Sequence, residues 1–298
     1  MKKLILPLLI AFVSISSLAQ TKATARPRIT GIDHVAFYTT DADGVKNMYV
    51  TILGLAQADP TEPGETARYL VGKQWVGYSP APDPKATDRM DHVAFTTDNI
   101  AALRRYLVEK GSKPSQIQGR SDHTLSFTVD DPEGHHIEFV EHGKGEVAAP
   151  PTSAVSRHMI HAGFLVQSRE AEDRFYRDIL GFRPYWHGGM KDDQTDWISM
   201  QVPDGVEWLE FMVNVPADAD QHLRGIMNHI AIGVTDIHAA QKKLIDDGAR
   251  PTEEPKIGRD GKWQLNLYDP DDTRVEFMEF TPVQKPCCSE FTGPHPKP

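Results

Sequence analysis

The sequence predicts an α+β protein in which one strand-helix-strand module occurs four times, as a duplicated pair. Two repeated patterns carry this prediction. A short strand with a His among apolar residues opens every copy, and a strand with a Glu between apolar residues closes three of the four. Self-similarity at a fixed period is the signature of a repeat architecture and is hard to attribute to core packing alone.

The opening strand places a His and a small residue on one face and bulky apolar residues on the other, because alternate side chains of a strand point to opposite faces. The fourth copy shows this most clearly, with His229 and Ala231 on one face and Ile230 and Ile232 on the other. A single His in a strand is more often a core residue than a ligand, but four in register favour ligation. The other three histidines are His34, His92 and His161.

The closing strand carries Glu138, Glu210 and Glu276 in the second, third and fourth copies, whereas Gly77 falls at this position in the first. Each of the three acids lies between apolar residues. A buried carboxylate has to be paired or bound to a metal to offset its desolvation. A His and a Glu on one face of the sheet therefore predict metal ligands.

Between the two strands, each copy has a predicted helix that stops at a Gly, the residue favoured at helix C-termini. Copies one and three share an aromatic helix that ends in Leu-Gly, and copies two and four share an Asp-Pro turn before the closing strand. This alternation makes the chain a duplicated pair. The predicted helices span residues 43–53, 100–110, 169–180 and 237–247.

The length allows about two domains at roughly 100–200 residues each. The stretch between the second and third copies is rich in Gly, Ala, Pro and Ser, which is typical of a linker. The Pro-rich end of the chain is predicted to be loosely ordered. The predicted segments are an N-terminal domain at 29–142, a linker at 143–156, a C-terminal domain at 157–282 and a tail at 283–298.

Residues 1–19 have the basic start, short apolar run and small terminal residues of a secretory signal peptide, so we expect a periplasmic or secreted protein. The net charge is −10, and loss of Lys2 and Lys3 with this segment makes it −12. An acidic chain is a poor partner for nucleic acid or an anionic membrane. We expect a monomer or homodimer that binds a small molecule.

The only cysteines are the adjacent Cys287 and Cys288 in the predicted tail. Neighbouring cysteines can bond to each other only in a strained ring. They are therefore interpreted as two incidental thiols.

Together, these patterns resemble the vicinal oxygen chelate superfamily, which includes glyoxalase I, bleomycin resistance proteins and type I extradiol dioxygenases. The resemblance covers residues 29–282 and implies βαβββ modules that pair into two cupped-sheet domains. It also implies one divalent metal ion, held by the opening and closing strands, and a substrate with vicinal oxygens. The metal could be Zn, Ni, Mn or Fe(II), since His and carboxylate ligands suit all four.

Carried over by position, the C-terminal half supplies His161, Glu210, His229 and Glu276, which resembles the two-His, two-Glu site of glyoxalase I. This set implies lyase or isomerase chemistry in which the metal polarises a carbonyl. Either Glu276 or Glu210 is the expected catalytic base.

The N-terminal half supplies a possible second metal site, His34, His92 and Glu138, which resembles the two-His, one-carboxylate triad of Fe(II) enzymes. An extradiol-type dioxygenase is therefore the alternative. In ring-cleaving members we expect a Tyr where this chain has Asn266 or Thr128. A third alternative is a non-catalytic binding protein of the resistance type.

Three further features have two readings each. Arg274 shares a face with Glu276 and could bind an anionic part of the substrate or pair with the glutamate. Trp197 could wall a substrate pocket, together with other aromatic residues of the third copy, or pack in the core. His135 and His136 precede Glu138 and are interpreted as turn residues rather than ligands.

Overall fold

The computed structural model of the chain describes residues 25–143 and 151–298. Within these ranges the chain forms two eight-stranded sheets, one from each half of the sequence. The predicted α+β class, with paired modules in two cupped domains, is confirmed. The predicted signal peptide lies outside the described residues, as does the middle of the predicted linker. None of the described helices is long and apolar enough to cross a membrane.

The first half contains two βαβββ modules. The short helix of the first module continues directly into a π-helical turn at Asn47–Ile52. The elements are β1 (Ile29–Thr39), α1 (Ala42–Lys46), β2 (Ala56–Ala58), β3 (Ala67–Val71), β4 (Gln74–Pro80), β5 (Met90–Thr97), α2 (Ile100–Glu109), β6 (Gln118–Gly119), β7 (Leu125–Asp130) and β8 (His136–Glu141).

The second half repeats this arrangement, with one added helix before its second module. A π-helical turn again follows the first helix, at Arg174–Ile179. The elements are β9 (Met159–Leu165), α3 (Arg169–Asp173), β10 (Arg183–Gly188), β11 (Trp197–Gln201), β12 (Trp208–Met212), α4 (Gln221–Met227), β13 (His229–Val234), α5 (Ile237–Asp246), β14 (Lys256–Ile257), β15 (Trp263–Tyr268) and β16 (Arg274–Glu279).

The opening and closing strands lie at the centre of each sheet. In the first sheet β1 and β5 pair antiparallel, and each pairs in parallel with the closing strand of its own module. The strand order is 2-3-4-1-5-8-7-6, and the second sheet has the equivalent order 10-11-12-9-13-16-15-14. The two opening and two closing strands are thus neighbours in each half.

A small residue two positions after each His makes this pairing possible. His229 lies opposite Gly163, and His161 lies opposite Ala231. A Cβ atom added at Gly163 would lie 2.1 Å from Cε1 of His229, closer than atoms can approach. The small residue therefore provides the space into which the imidazole of the facing strand projects.

The two halves are joined by hydrogen bonds from their Asp-Pro turns. Tyr78 donates from its hydroxyl to Oδ2 of Asp269 at 2.9 Å, and Tyr176 donates to Oδ2 of Asp131 at 3.0 Å. Each bond links the turn of one half to the aromatic residues of the other. Both aspartates are buried, and burial raises the pKa of Asp269 to about 6. The tyrosine hydroxyls therefore supply hydrogen bonds to carboxyl groups that water does not reach.

The predicted loose tail is wrong, because residues 283–298 pack along the edge strand β10. The ring of Phe291 lies 4.9 Å from that of Tyr185, and the backbone N–H of Thr292 donates to the Tyr185 carbonyl at 3.0 Å. Gln201 also donates to the carbonyl of Pro294. The tail is ordered despite its Pro-rich composition because Phe291 packs against β10 and the open edge of that strand accepts a backbone hydrogen bond.

The interpretation of the cysteines as incidental thiols is also wrong, since Cys287 and Cys288 form a disulfide with each other. The surrounding contacts hold this part of the tail. The N–H of Cys287 donates to the carbonyl of Arg259, and Trp186 donates from Nε1 to the carbonyl of Cys287. These contacts thus fix the backbone of Cys287 on both sides of its Cα atom.

We expect Tyr78→Phe to lower the free energy of unfolding by about 1–3 kcal/mol, because it leaves Oδ2 of buried Asp269 without its donor. Urea unfolding of the full chain measures this change. Tyr268→Phe is the matched control, since Tyr268 is partly exposed. Equal stability of the two variants would contradict the structural role of the bond.

Candidate functional site

The four predicted residues of the C-terminal half meet on the concave face of the second sheet. Nε2 of His161 and Nε2 of His229 lie 3.0 Å apart. Oε2 of Glu276 lies 3.5 Å from the first of these nitrogens and 3.6 Å from the second. Glu210 is slightly more distant, with Oε2 at 3.8 and 3.6 Å from the same two atoms.

The two imidazoles of this set face each other through their Nε2 atoms. His229 donates from Nδ1 to the carbonyl of Met227 at 2.7 Å, which leaves Nε2 of the neutral ring as an acceptor. Burial and then the neighbouring His229 lower the pKa of His161 well below its ordinary value. Two neutral imidazoles that face each other with carboxylates alongside are suited to a divalent cation.

The two carboxylates of the set differ in acidity. Burial alone would raise the pKa of Glu276, but the charge of Arg274 and the hydrogen bond with His229 lower it to about 2. Burial and the charge of Glu276 raise the pKa of Glu210 to about 8. Glu276 therefore stays ionised at neutral pH, whereas Glu210 can hold a proton.

Arg274 lies against the ligand set itself. Its Nη2 is 2.7 Å from Nε2 of His229, and a guanidinium can only donate. Its closest contact is thus with the histidine, rather than with either partner expected from the sequence. The guanidinium supplies the positive charge that these lone pairs and carboxylates require, so a metal ion binding here would have to displace it.

The three predicted residues of the N-terminal half also come together. Nε2 of His34 and Nε2 of His92 lie 2.9 Å apart. Oε2 of Glu138 lies 3.2 Å from the first and 3.6 Å from the second. Both histidines and the glutamate are largely buried.

A fourth acidic side chain, which the repeat pattern does not reveal, lies beside these three predicted residues. Glu62, in the loop between β2 and β3, places Oε1 3.0 Å from Nε2 of His34 and Oε2 3.5 Å from Nε2 of His92. A side chain at Gly77 could not serve, because its Cβ would lie 2.7 Å from the Trp75 ring. Glu62 lies outside the repeated strands, so periodicity could not reveal it.

A cavity of about 340 Å³ opens beside the C-terminal set. Glu210, Glu276 and Arg274 reach its wall, and Phe291 of the tail closes one side. One part of the wall is aromatic and thioether, and its residues are Trp186, Met190, Trp197, Trp208, Met212 and Met278. Another part is polar, and its residues are Ser199, Lys256, Arg259, Asp260, Gln264 and Asn266.

The two histidines before Glu138 take no part in either set. His136 is exposed, and its Nδ1 lies 2.7 Å from Oδ1 of Asp130. His135 bonds to Asp131 within the turn that joins β7 to β8.

Comparison with known proteins identifies the family. The model of the family described as Glyoxalase/Bleomycin resistance protein/Dioxygenase superfamily matches residues 31–139 and 158–277. A lactoylglutathione lyase of Haemophilus influenzae is 26% identical over 123 residues, which are 41% of this chain and 91% of that protein.

Solved structures of homoprotocatechuate 2,3-dioxygenase share the fold. The enzyme of Brevibacterium fuscum, in an anaerobic complex with 3,4-dihydroxyphenylacetate, is 18% identical with a TM-score of 0.64, covering 91% of this chain and 84% of that one. The enzyme of Arthrobacter globiformis is also 18% identical, with a TM-score of 0.64, covering 89% and 84%. At this identity the likeness extends to the fold alone.

The raised pKa of Glu210 makes a prediction for the metal-free protein. This carboxyl has an ordinary pKa of 4.5 and a folded pKa of about 8. Between these values the unfolded chain releases a proton that the folded chain keeps, so the free energy of unfolding falls as the pH rises. At about 1.4 kcal/mol per pKa unit, the fall is a few kcal/mol at most.

Urea unfolding in chelator, between about pH 4.5 and 8, measures this fall. Glu210→Gln carries no titratable group here, so its free energy of unfolding should decline less over the same range. Parallel pH curves for the parent and the variant would contradict the assigned pKa.

Proposed function

This chain belongs to the glyoxalase/bleomycin resistance protein/dioxygenase superfamily, and from that premise we propose that it is a divalent-metal-dependent enzyme acting on a small molecule with two adjacent oxygens. We further propose lyase or isomerase chemistry at the C-terminal site. The observation that carries the proposal is the convergence of two imidazoles and two carboxylates beside a cavity, with Glu210 and Glu276 on the cavity wall.

His161, His229 and Glu276 would hold the metal. Their donor atoms lie within 4.8 Å of one another, and nitrogen and carboxylate donors suit Zn, Ni, Mn and Fe(II). A divalent cation bound there would chelate the adjacent oxygens of the substrate and polarise its carbonyl as a Lewis acid.

Glu210 is the best candidate for the proton carrier. Its Oε2 lies 3.8 Å from Nε2 of His161, against 3.5 Å for Glu276, whereas both carboxylates lie 3.6 Å from His229. Glu210 also reaches the cavity wall. A nearby cation would lower the raised pKa of Glu210 and so favour the ionised form that a general base needs. Glu210 would then take the proton from the carbon beside the carbonyl and return it to the neighbouring position. The structure thus favours Glu210 as the base and Glu276 as the ligand.

Arg274 and Trp197 would orient the substrate. When a metal displaces the guanidinium from His229, Arg274 still lines the cavity and can bind an anionic group of the substrate. Trp197 and its aromatic neighbours would enclose the apolar part and exclude water.

An Fe(II) extradiol-type dioxygenase is the second candidate. The sequence pattern assigned this chemistry to His34, His92 and Glu138, but Glu62 gives that set a fourth donor. His161, His229 and Glu276 are two histidines and one carboxylate, which suit Fe(II), and the similar solved structures are dioxygenases. Against it, the position where we expect a Tyr holds Asn266, whose amide bonds to Glu253. A non-catalytic binding protein is the third candidate. In each case we propose export by residues 1–19 to the periplasm or outside the cell.

The decisive assay compares oxygen-independent and oxygen-dependent turnover by the full chain loaded anaerobically with each metal. We expect isomerisation of α-hydroxy carbonyl compounds or hemithioacetals, with exchange of one carbon-bound hydrogen for solvent deuterium and no oxygen uptake. Oxygen uptake with a catechol would support the second candidate. Tight binding without turnover would support the third.

We expect Glu210→Gln to lower kcat by about 100-fold or more while metal content is retained, because general acid–base catalysis contributes about 10²–10⁴-fold. Glu276→Gln should instead lose metal. Glu207→Gln is the control, since Glu207 lies near the same strand but pairs with His158. Metal loss in Glu210→Gln, or full activity in it, would contradict the division of roles.

A further inference from the structure

We propose that the N-terminal half holds a second divalent cation, in a four-donor site completed by Glu62 of the β2–β3 loop. The donors are His34, Glu62, His92 and Glu138, and their ligand atoms lie within 4.8 Å of one another. The proposal does not depend on the reaction proposed for the C-terminal half, and it raises the expected metal content from one ion to two.

Two buried carboxylates of this cluster converge on the paired imidazole nitrogens. Oε1 of Glu62 and Oε2 of Glu138 lie 3.0 and 3.2 Å from Nε2 of His34, and Glu138 is 5% exposed. Among the described residues neither oxygen has a hydrogen bond of good geometry, so the charges are held by ion pairs alone. Buried carboxylates have to be paired or bound to a metal, and a cation between the four donors would serve both.

Each histidine of the site is backed by a carboxylate. His34 donates from Nδ1 to Asp33 at 2.6 Å, and His92 has Nδ1 3.2 Å from Asp91. Asp91 in turn accepts from the hydroxyl of Tyr38 at 2.6 Å. A metal-ligating His usually has a carboxylate hydrogen-bonded to its other ring nitrogen. That bond fixes the orientation of the ring and leaves Nε2 free to bind the metal.

Arg120 lies beside this site and contacts both of its carboxylates. It bonds to Oε1 of Glu138, so Oε2 of that residue remains directed at the histidines. Its Nη2 also lies 2.9 Å from Oε1 of Glu62. In the C-terminal half, by contrast, Arg274 bonds to the Nε2 atom that would hold the metal. The N-terminal donors are thus already positioned, and Arg120 offsets part of their negative charge.

The chemistry of the site favours a structural role. Four protein donors complete the tetrahedral coordination that zinc adopts in structural sites, whereas catalytic sites keep a position open. His34 is stacked on Trp75 at 3.6 Å, and the guanidinium of Arg68 covers the other part of that ring at 3.6 Å. We therefore assign this ion to stabilising the N-terminal sheet and its β2–β3 loop.

Metal titration of the full chain tests the proposal. Chelator-treated protein is titrated with Co²⁺, whose visible absorption reports tetrahedral coordination, and bound Zn²⁺ is counted after dialysis. The parent should bind two equivalents. His229→Ala, which disables the C-terminal set, should keep one, and Zn²⁺ should still raise its Tm.

In the His229→Ala background, Glu62→Gln should weaken Co²⁺ binding at least about tenfold, the lower end of what loss of an outer partner costs. Asp59→Asn, in the same loop but exposed, is the matched control and should bind as its parent does. A single equivalent in the parent with none in His229→Ala would overturn the proposal. Equal Co²⁺ affinity of Glu62→Gln and Asp59→Asn would overturn the assignment of Glu62. Should His229→Ala not fold, the parent stoichiometry alone decides between one ion and two.

Discussion

The antiparallel pairing of two opening strands is the constraint on which the rest of each half depends. It brings two imidazole Nε2 atoms to 2.9 Å in one half and 3.0 Å in the other. Each ring projects over the small residue that follows the opposite His, such as Gly163, where no side chain could fit. Parallel pairing with the closing strand then places Glu276 beside Ala231. Because Ala231 follows His229 by two residues, Glu276 lies on the same face of the sheet as this histidine. Lone pairs and carboxylates that converge in this way need a positive charge, and each half supplies an arginine nearby.

The two halves use the same frame differently. In the N-terminal half, Asp33 and Asp91 back the histidines, a loop glutamate adds a fourth donor, and Arg120 bonds to Oε1 of Glu138. In the C-terminal half the arginine faces a ligand nitrogen directly, and a cavity adjoins the carboxylates. A preorganised, protein-filled site suits a structural ion, whereas a site beside a cavity suits a substrate. We therefore assign stability to the first and chemistry to the second.

Strand periodicity was enough to predict the modules, the seven repeated ligand candidates and their common face. Alternation in a strand is a local property, and a duplicated pattern makes it visible in a single sequence. Features formed by loops and by long-range packing were missed or wrong for the same reason. Glu62 and Arg120 reach the N-terminal site from loops, where no period marks them. The tail looked disordered by composition, but the ring of Phe291 packs against β10. An Asp precedes His34 and His92, whereas Ile160 and Asn228 precede the other two histidines. This difference could have predicted which pair of histidines has a carboxylate on its outer ring nitrogen.

Anomalous diffraction at the zinc edge from crystals of the full chain grown with Zn²⁺ tests the central claim most directly, because it locates the metal without reference to activity. The account predicts one peak among His161, His229 and Glu276, with Arg274 moved away from His229, and a second among His34, Glu62, His92 and Glu138. Zinc bound only at surface carboxylates, with Arg274 still on His229 and no peak between either pair of imidazoles, would contradict it.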